Sequence, residues 1–332
     1  MTSRILSEVG ERAWLDQIAN LLPAPDDPRC FVPIGDDAVV WRFAGGDTCQ
    51  VVTSDAQVEG THFEREWMNW EGLAQRALLA AASDVTAMGG KPSGFATTLG
   101  VDPETPLDDV EAFATRLNDL AKEYDLVPLG GDTTRSDLNF VDITVLGSVR
   151  EEDILRQTGA QEGDAIWVTG TLGGARAAWM LFGKEGKAEK ALEDNFWCPP
   201  ARWPILDGLR SAIEVRAMTD LSDGLKLDLE KCLRTSGLGG QVHLDRLPTD
   251  DRTAQYAIAS GIDPYELAYA GGEDFELLVF EAGDGSEEPI IDLDGVPLTR
   301  IGRVTGNKIQ TLLNGNETSI ESKPYEHFCD PE

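Results

Sequence analysis

Histidine is nearly absent from this chain: His62, His243 and His327 are the only three in 332 residues. With so few imidazoles, neither a His-based zinc site nor a nucleophile served by a histidine base is expected. Cysteine excludes almost as much. Cys30, Cys49, Cys198, Cys232 and Cys329 are odd in number, scattered and never spaced C-x-x-C. A disulfide framework and a thiolate zinc site are therefore both disfavoured, and a reducing cytoplasm fits best. Basic residues are scarce: 28 Lys and Arg against 59 Asp and Glu leave a formal charge of −31. Such a surface repels nucleic acid and anionic membranes at long range. Long apolar runs are missing too, since the alanines at 77–82 run straight into Ser83-Asp84, so no membrane span is expected. Residues 1–22 intersperse Glu8, Glu11, Arg12 and Asp16 among apolar positions, the pattern of an amphipathic helix rather than of an export signal. There is no G-x-x-x-x-G-K-[ST] loop, no H-R-D with D-F-G and no G-x-S-x-G elbow, so any nucleotide chemistry has to use a different site.

The length and apolar content suit two packed domains better than one. After a proline-rich break at 23–28, β-like runs at 39–43 and 50–53 flank the turn Ala44-Gly45-Gly46-Asp47, which predicts a hairpin. Helical periodicity covers 70–88 and 107–124, with strands expected at 96–101, 126–129 and 140–149. The acidic, irregular 151–164 reads as a domain boundary. Beyond it a strand is expected at 165–169, helices at 174–182, 204–213 and 225–236, and strands at 241–244 and 276–280. The chain thus divides into 1–150, 151–306 and a short tail, 307–332, in an α/β (α+β sandwich) fold. The charged stretch 184–194 has no assigned role.

What the sequence has in quantity is Asp and Glu beside glycine at the ends of apolar runs. Gly35-Asp36-Asp37, Gly130-Gly131-Asp132, Asp220-Leu221-Ser222-Asp223-Gly224 and Gly271-Gly272-Glu273-Asp274 share this pattern, and Thr53-Ser54-Asp55 joins them at the end of an apolar run without the glycine. Each alone is ordinary turn chemistry; five in one chain are harder to read that way. Asp84 adds to them by interrupting a small, apolar helix. A carboxylate buried there needs a cation or several donors, whereas at a cap or in solvent it needs neither, and the residues leave both open. Hard oxygen ligands of this kind suit Mg²⁺, which binds through one or two carboxylates plus phosphate oxygens. An acidic protein can hold ATP only if something cancels the phosphate charge, and magnesium does so.

Taken in order, Gly35-Asp36-Asp37-Ala38, Thr53-Ser54-Asp55, Val58-Glu59-Gly60-Thr61-His62-Phe63, Ala82-Ser83-Asp84-Val85-Thr86-Ala87-Met88-Gly89, Gly130-Gly131-Asp132-Thr133-Thr134, Thr219-Asp220-Leu221-Ser222-Asp223-Gly224-Leu225 and Gly271-Gly272-Glu273-Asp274-Phe275-Glu276-Leu277 resemble the thiamine-monophosphate kinases. The resemblance spans nearly the whole chain. It implies a two-domain fold like aminoimidazole ribonucleotide synthetase, with N-terminal sheets of two subunits pairing into a β-barrel in a homodimer. It also implies Mg-dependent transfer of the ATP γ-phosphoryl group to thiamine monophosphate, direct and without a phosphoenzyme.

Carried over residue by residue, the resemblance implies several magnesium ions on Asp36, Thr53, Ser54, Asp55, Asp84, Asp132, Asp220 and Asp223. ATP is expected at Gly131, Asp132, Arg156, Ser222 and Tyr124, and thiamine monophosphate at His62, Glu273 and Tyr325. Taken without the family, His62 reads as a packing residue, Arg156 as a surface charge and Tyr325 as a tail anchor. Thr219, Thr61 and Lys226 depart from the family pattern without removing a proposed ligand. Two other readings remain: another ATP-using enzyme on the same scaffold, and a non-catalytic acidic protein that binds divalent cations.

Overall fold

The computed structural model describes residues 26–33, 35–42, 46–185, 190–234, 236–283, 285 and 288–320, with Ala13 and Leu21 before them. The amphipathic segment 1–22 otherwise lies outside the described residues, as does the end of the tail from 321. No helix among the described residues is long and apolar enough to cross a membrane.

The first sheet has six strands, β1 (Cys30–Val32), β2 (Val39–Trp41), β3 (Thr48–Val58), β4 (Lys91–Val101), β5 (Val127–Arg135) and β6 (Phe140–Arg150), in the order β1-β2-β3-β6-β4-β5. The expected hairpin is present: Val39 pairs with Val52 and Trp41 with Gln50. β3 and β6 pair antiparallel along their full length, from Thr48 opposite Arg150 to Val58 opposite Phe140. α1 (Trp70–Ala87) follows β3, and α2 (Leu107–Glu123) crosses from β4 to the parallel β5.

Two acidic blocks expected in loops are inside strands. Thr53-Ser54-Asp55 lies mid-β3, and Gly130-Gly131-Asp132 lies mid-β5. Glycine suggested a turn at 130–131, but its role here is close approach. A Cβ on Gly131, at φ 155°, would stand 1.8 Å from the Thr97 carbonyl oxygen of β4, so only glycine keeps the two strands paired.

β7 (Ala165–Thr169) opens a second, eight-stranded sheet. α3 (Gly174–Glu185), α4 (Lys190–Trp197) and α5 (Leu206–Ala212) follow, then β8 (Val215–Asp220), α6 (Leu225–Arg234) and β9 (Gly239–His243). α7 (Asp251–Ser260) and α8 (Pro264–Ala270) precede β10 (Leu277–Glu281), β11 (Ile290–Leu293), β12 (Val296–Thr305), β13 (Ile309–Leu313) and β14 (Asn316–Thr318). The strand order is β14-β13-β9-β12-β7-β10-β8, with β11 on β12. Residues 309–318, read from sequence as part of a tail, add two strands to this sheet, β13 running parallel to β9. Part of the charged stretch 184–194 is helix α4, whose Phe196 and Trp197 pack with Trp67 and Phe182.

α1 joins the two halves. Fifteen of its 18 residues are buried, as expected of a helix that is apolar nearly all round and so has no solvent face. It packs on β3 and β6 on one side and reaches β8 of the second sheet on the other. Its small residues permit that approach; a Cβ on Gly72 would meet the Trp197 ring at 2.8 Å.

Candidate active site

Strand alternation decides what β3 offers. Thr53, Asp55 and Gln57 face α1, while Ser54 faces away. Thr53 Oγ1 donates to Asp84 Oδ2 at 2.7 Å, and one residue earlier on α1 Ser83 Oγ donates to Asp220 Oδ2 at the end of β8. Neighbouring positions of one helix thus hand a carboxyl to the first sheet and a hydroxyl to the second domain. Asp84 and Asp220 meet there, at the seam between domains.

The carboxyls at this seam crowd one another. Burial, then the charge of Asp220, raises Asp84 well above the usual carboxylate range. Asp220 itself is raised by burial, against the opposing hydrogen bond from Ser83. Burial and then Asp220 push Asp37 up to about 7, and burial pushes Asp55 up to about 6. Like charges forced together in a dry pocket favour protons or cations, the environment a metal-binding carboxylate has before its metal arrives.

Of the Asp36-Asp37 pair, it is Asp37 whose side chain enters the cluster, only 3% exposed and 3.7 Å from Lys231 Nζ. Asp36 accepts instead from the backbone N–H groups of Asp37 at 3.0 Å and Gln157 at 3.2 Å. Two further residues were not singled out from the sequence. Asp228 on α6 is buried and raised well above the usual range, first by burial and then by Asp223 and Asp220. On Lys231, burial is outweighed by Asp37, Asp228, Asp220 and Asp223, which hold its ammonium above the ordinary lysine value. The detectable signal was spacing: Asp228 and Lys231, three residues apart on α6, share one helical face.

The other expected residues divide. Burial raises the Asp36 carboxyl above the usual range, and the Arg156 charge is among the groups that oppose the rise; Arg156 Nη2 donates to the Phe31 carbonyl at 2.7 Å. Asp223 is exposed beside the cluster, and the Ser222 carbonyl accepts from the Glu273 N–H at 2.8 Å. Ser54 Oγ donates to Asp142 Oδ1 at 2.8 Å on the outer face of the first sheet. Asp132 shares that outer face, in register with Thr98, and accepts from its neighbour Thr133. Tyr124 follows α2 and packs edge-on against Trp203 at 5.1 Å. His62 lies in the turn after β3, where its Nδ1 accepts from Val58 N–H. Tyr325 lies outside the described residues.

The segment 271–276 fastens the second domain to this seam. Glu273 pairs with Arg76 of α1. Asp274 accepts from the Gly173 N–H through both oxygens, at 3.0 and 2.9 Å, at the start of α3. Glu276 pairs with Arg202 and accepts from Thr169 Oγ1 at 2.6 Å.

The residues present fit a divalent cation. Asp37 Oδ2 and Asp228 Oδ2 are buried without a hydrogen-bond partner in the protein, a costly state for carboxylate oxygens unless a cation or proton serves them. Among the described residues no three His, Cys, Asp or Glu side chains are grouped closely enough to hold a metal ion by themselves. A separate cavity of about 580 Å³, lined by Arg65, Trp70 and Pro106, touches none of these carboxyls.

The description "AIR synthase related protein, N-terminal domain" matches residues 35–149, and its C-terminal counterpart matches residues 161–313. The thiamine-monophosphate kinase of Rhodopirellula baltica is 34% identical over 288 residues, 84% of this chain and 85% of that protein. That of Salmonella typhimurium is 32% identical over 305 residues, 90% of this chain and 92% of its own. A solved structure described as AaThiL complexed with AMPPCP and TMP superposes with a TM-score of 0.84 at 26% identity, covering 98% of this chain and 100% of that one. With both halves of the fold matched and identity sustained over most of its length, the chain belongs to the AIR-synthase-related family and, within it, to the thiamine-monophosphate kinases.

Proposed function

We propose that this chain transfers the γ-phosphoryl group of ATP to thiamine monophosphate, giving ADP and thiamine diphosphate. The observation that carries the reading is the cluster of Asp37, Asp84, Asp220 and Asp228 between the domains, in which Asp37 Oδ2 and Asp228 Oδ2 are buried without a hydrogen-bond partner in the protein. In this reading Asp37, Asp84 and Asp220 hold magnesium at the seam, with Asp36, Thr53, Asp55 and Asp223 as further family positions beside them; Ser54 and Asp132, on the outer face of the first sheet, are family positions that do not reach this cluster. Magnesium, when bound, screens two anionic reactants from each other and stabilises charge on the leaving diphosphate. The acceptor oxygen of thiamine monophosphate is already ionised at neutral pH, so in-line attack needs no general base. The scarcity of histidine is consistent with that chemistry.

Gly131, Arg156, Ser222 and Tyr124 are assigned to ATP, and His62, Glu273 and Tyr325 to thiamine monophosphate. A homodimer belongs to the same reading, supported by β5: all nine of its residues are exposed, including Val127 at 56% and Leu129 at 55%, an open strand that soluble proteins usually cover. A cytoplasmic setting fits the unpaired cysteines. The test is to mix the protein with MgATP and thiamine monophosphate and follow thiamine diphosphate by chromatography of its fluorescent oxidation product. Product requiring all three components is expected. ADP released without thiamine monophosphate, or no turnover despite ATP binding, would direct the search to other reactions on this scaffold.

A further inference from the structure

Arg76 is a full charge with no exposed surface, placed on a helix of which fifteen of 18 residues are buried. Its Nε donates to Gln57 Oε1 and its Nη1 to the Phe196 carbonyl, both at 2.9 Å, while Nη2 meets the Glu273 carboxylate. The guanidinium lies 3.9 Å from the centre of the Phe196 ring and 5.6 Å from that of Phe275. Burying an ion here costs more than burying an apolar side chain of similar size. Bare stability does not account for an arginine at this position; what distinguishes it is the set of groups it joins.

Those groups come from both domains. Gln57 is on β3, two residues from Asp55, and the Asp55 charge supports the guanidinium against burial. Phe196 is on α4, and Glu273 and Phe275 lie between α8 and β10. The loop of Glu273 is held in an unfavourable shape: Glu273 at φ 67° and Phe275 at φ 50° are both left-handed, which side chains disfavour. Backbone bonds fix it, from Glu273 N–H to the Ser222 carbonyl at 2.8 Å and from Phe275 N–H to the Leu221 carbonyl at 2.9 Å. Arg76 then fixes the side chain. Glu273 keeps 40% of its side chain exposed while its partner keeps none, so the carboxylate is anchored on one side and open on the other.

We infer that Arg76 is a positioning residue for the phosphoryl acceptor: it holds Glu273 against the strand that carries Thr53 and Asp55, so one guanidinium sets the acceptor's place relative to the metal-binding carboxylates. This rests on reading Glu273 as a thiamine monophosphate contact. Only arginine has the planar fork to serve Gln57, Phe196 and Glu273 together; lysine keeps the charge and loses the geometry.

The test measures KM for thiamine monophosphate and for ATP separately in Arg76→Lys, Glu273→Gln, the double variant and Gln57→Leu, with folding followed by circular dichroism. Arg76→Lys is expected to raise KM for thiamine monophosphate about tenfold, the size of one charge-assisted hydrogen bond, and KM for ATP less than twofold. Gln57→Leu, which loosens Arg76 from the far side, should shift KM a few-fold in the same direction. In the double variant Arg76→Lys should add little to Glu273→Gln. The inference is overturned if both KM values rise together, if only thermal stability falls, or if the effects of Arg76→Lys and Glu273→Gln multiply. Should Arg76→Lys fail to fold, Gln57→Leu decides by the same KM split. An unchanged KM for thiamine monophosphate in Glu273→Gln defeats the Glu273 reading and this inference with it, whereas a raised KM there without one in Arg76→Lys defeats this inference alone.

Discussion

Asp228 and Lys231 lie three residues apart on α6, and neither falls in a motif that ends at Leu225. Lys231 is a tethered cation among Asp37, Asp220, Asp223 and Asp228, so it supports the cluster most when no metal is present. Lys231→Met should therefore lower the melting temperature in EDTA by about 1–2 °C, equivalent to about 1 kcal/mol for a partly solvated pair. Saturating magnesium should shrink that deficit; an equal deficit with and without metal would remove Lys231 from the cluster. Asp84→Asn and Asp220→Asn test the opposite sign. Each replaces a carboxyl already biased toward its neutral form, so stability in EDTA should hold or rise while kcat falls at least roughly 100-fold. Activity lost together with the fold would make these residues structural. The sequence marked Asp84 and Asp220 because an Asp amid alanines, or in Asp-x-Ser-Asp-Gly, is conspicuous by itself. Arg76 and Asp228 were not marked, because their meaning lies in which loops pack against them.

Among elements, α3 depends on Asp274 at its first turn. Burial pushes that carboxyl from 3.8 up to about 8, against the opposing Gly173 N–H bonds. The native state therefore holds a proton that the unfolded chain releases near pH 4. Its contribution is complete below pH 4 and is lost as pH rises through about 8. Asp274→Asn, which still accepts from Gly173, should flatten the fall in stability between these pH values in denaturant titrations; an unchanged slope would assign the fall to other carboxyls. Periodicity made α1, α2, α3 and α6 legible because a helix repeats its apolar face several times. β5 was harder: glycines at 130 and 131 signal a turn locally, and only the carbonyl of Thr97 on the neighbouring strand explains them. β8 was missed since Val215–Asp220 is buried at one end and ends in charge, giving neither alternation nor a uniformly apolar run. The open β5 strand carries its own prediction. Leu129→Asp should shift the protein toward monomer in light scattering if β5 lies at the dimer interface, and leave its mass unchanged otherwise.

At the scale of the whole molecule, a charge of −31 opposes compaction everywhere, whereas the interdomain cluster opposes it at one seam. The two effects separate by salt. Raising NaCl from 0.1 to 1 M shortens the screening length from about 10 to about 3 Å, so the melting temperature in EDTA should rise, as it should in an Asp84→Asn/Asp220→Asn variant. Magnesium at a few millimolar hardly changes screening when NaCl is held at 0.5 M. Any further rise then reports ions bound by the native state, reaching about 2.7 kcal/mol at one hundred times the dissociation constant. That increment, with AMPPCP present, should appear in the unmodified chain and be mostly absent from the double variant. A double variant that kept the magnesium increment would show the divalent ion acting as a general counter-ion to an acidic surface, and the seam between α1 and β8 would have no special claim on it.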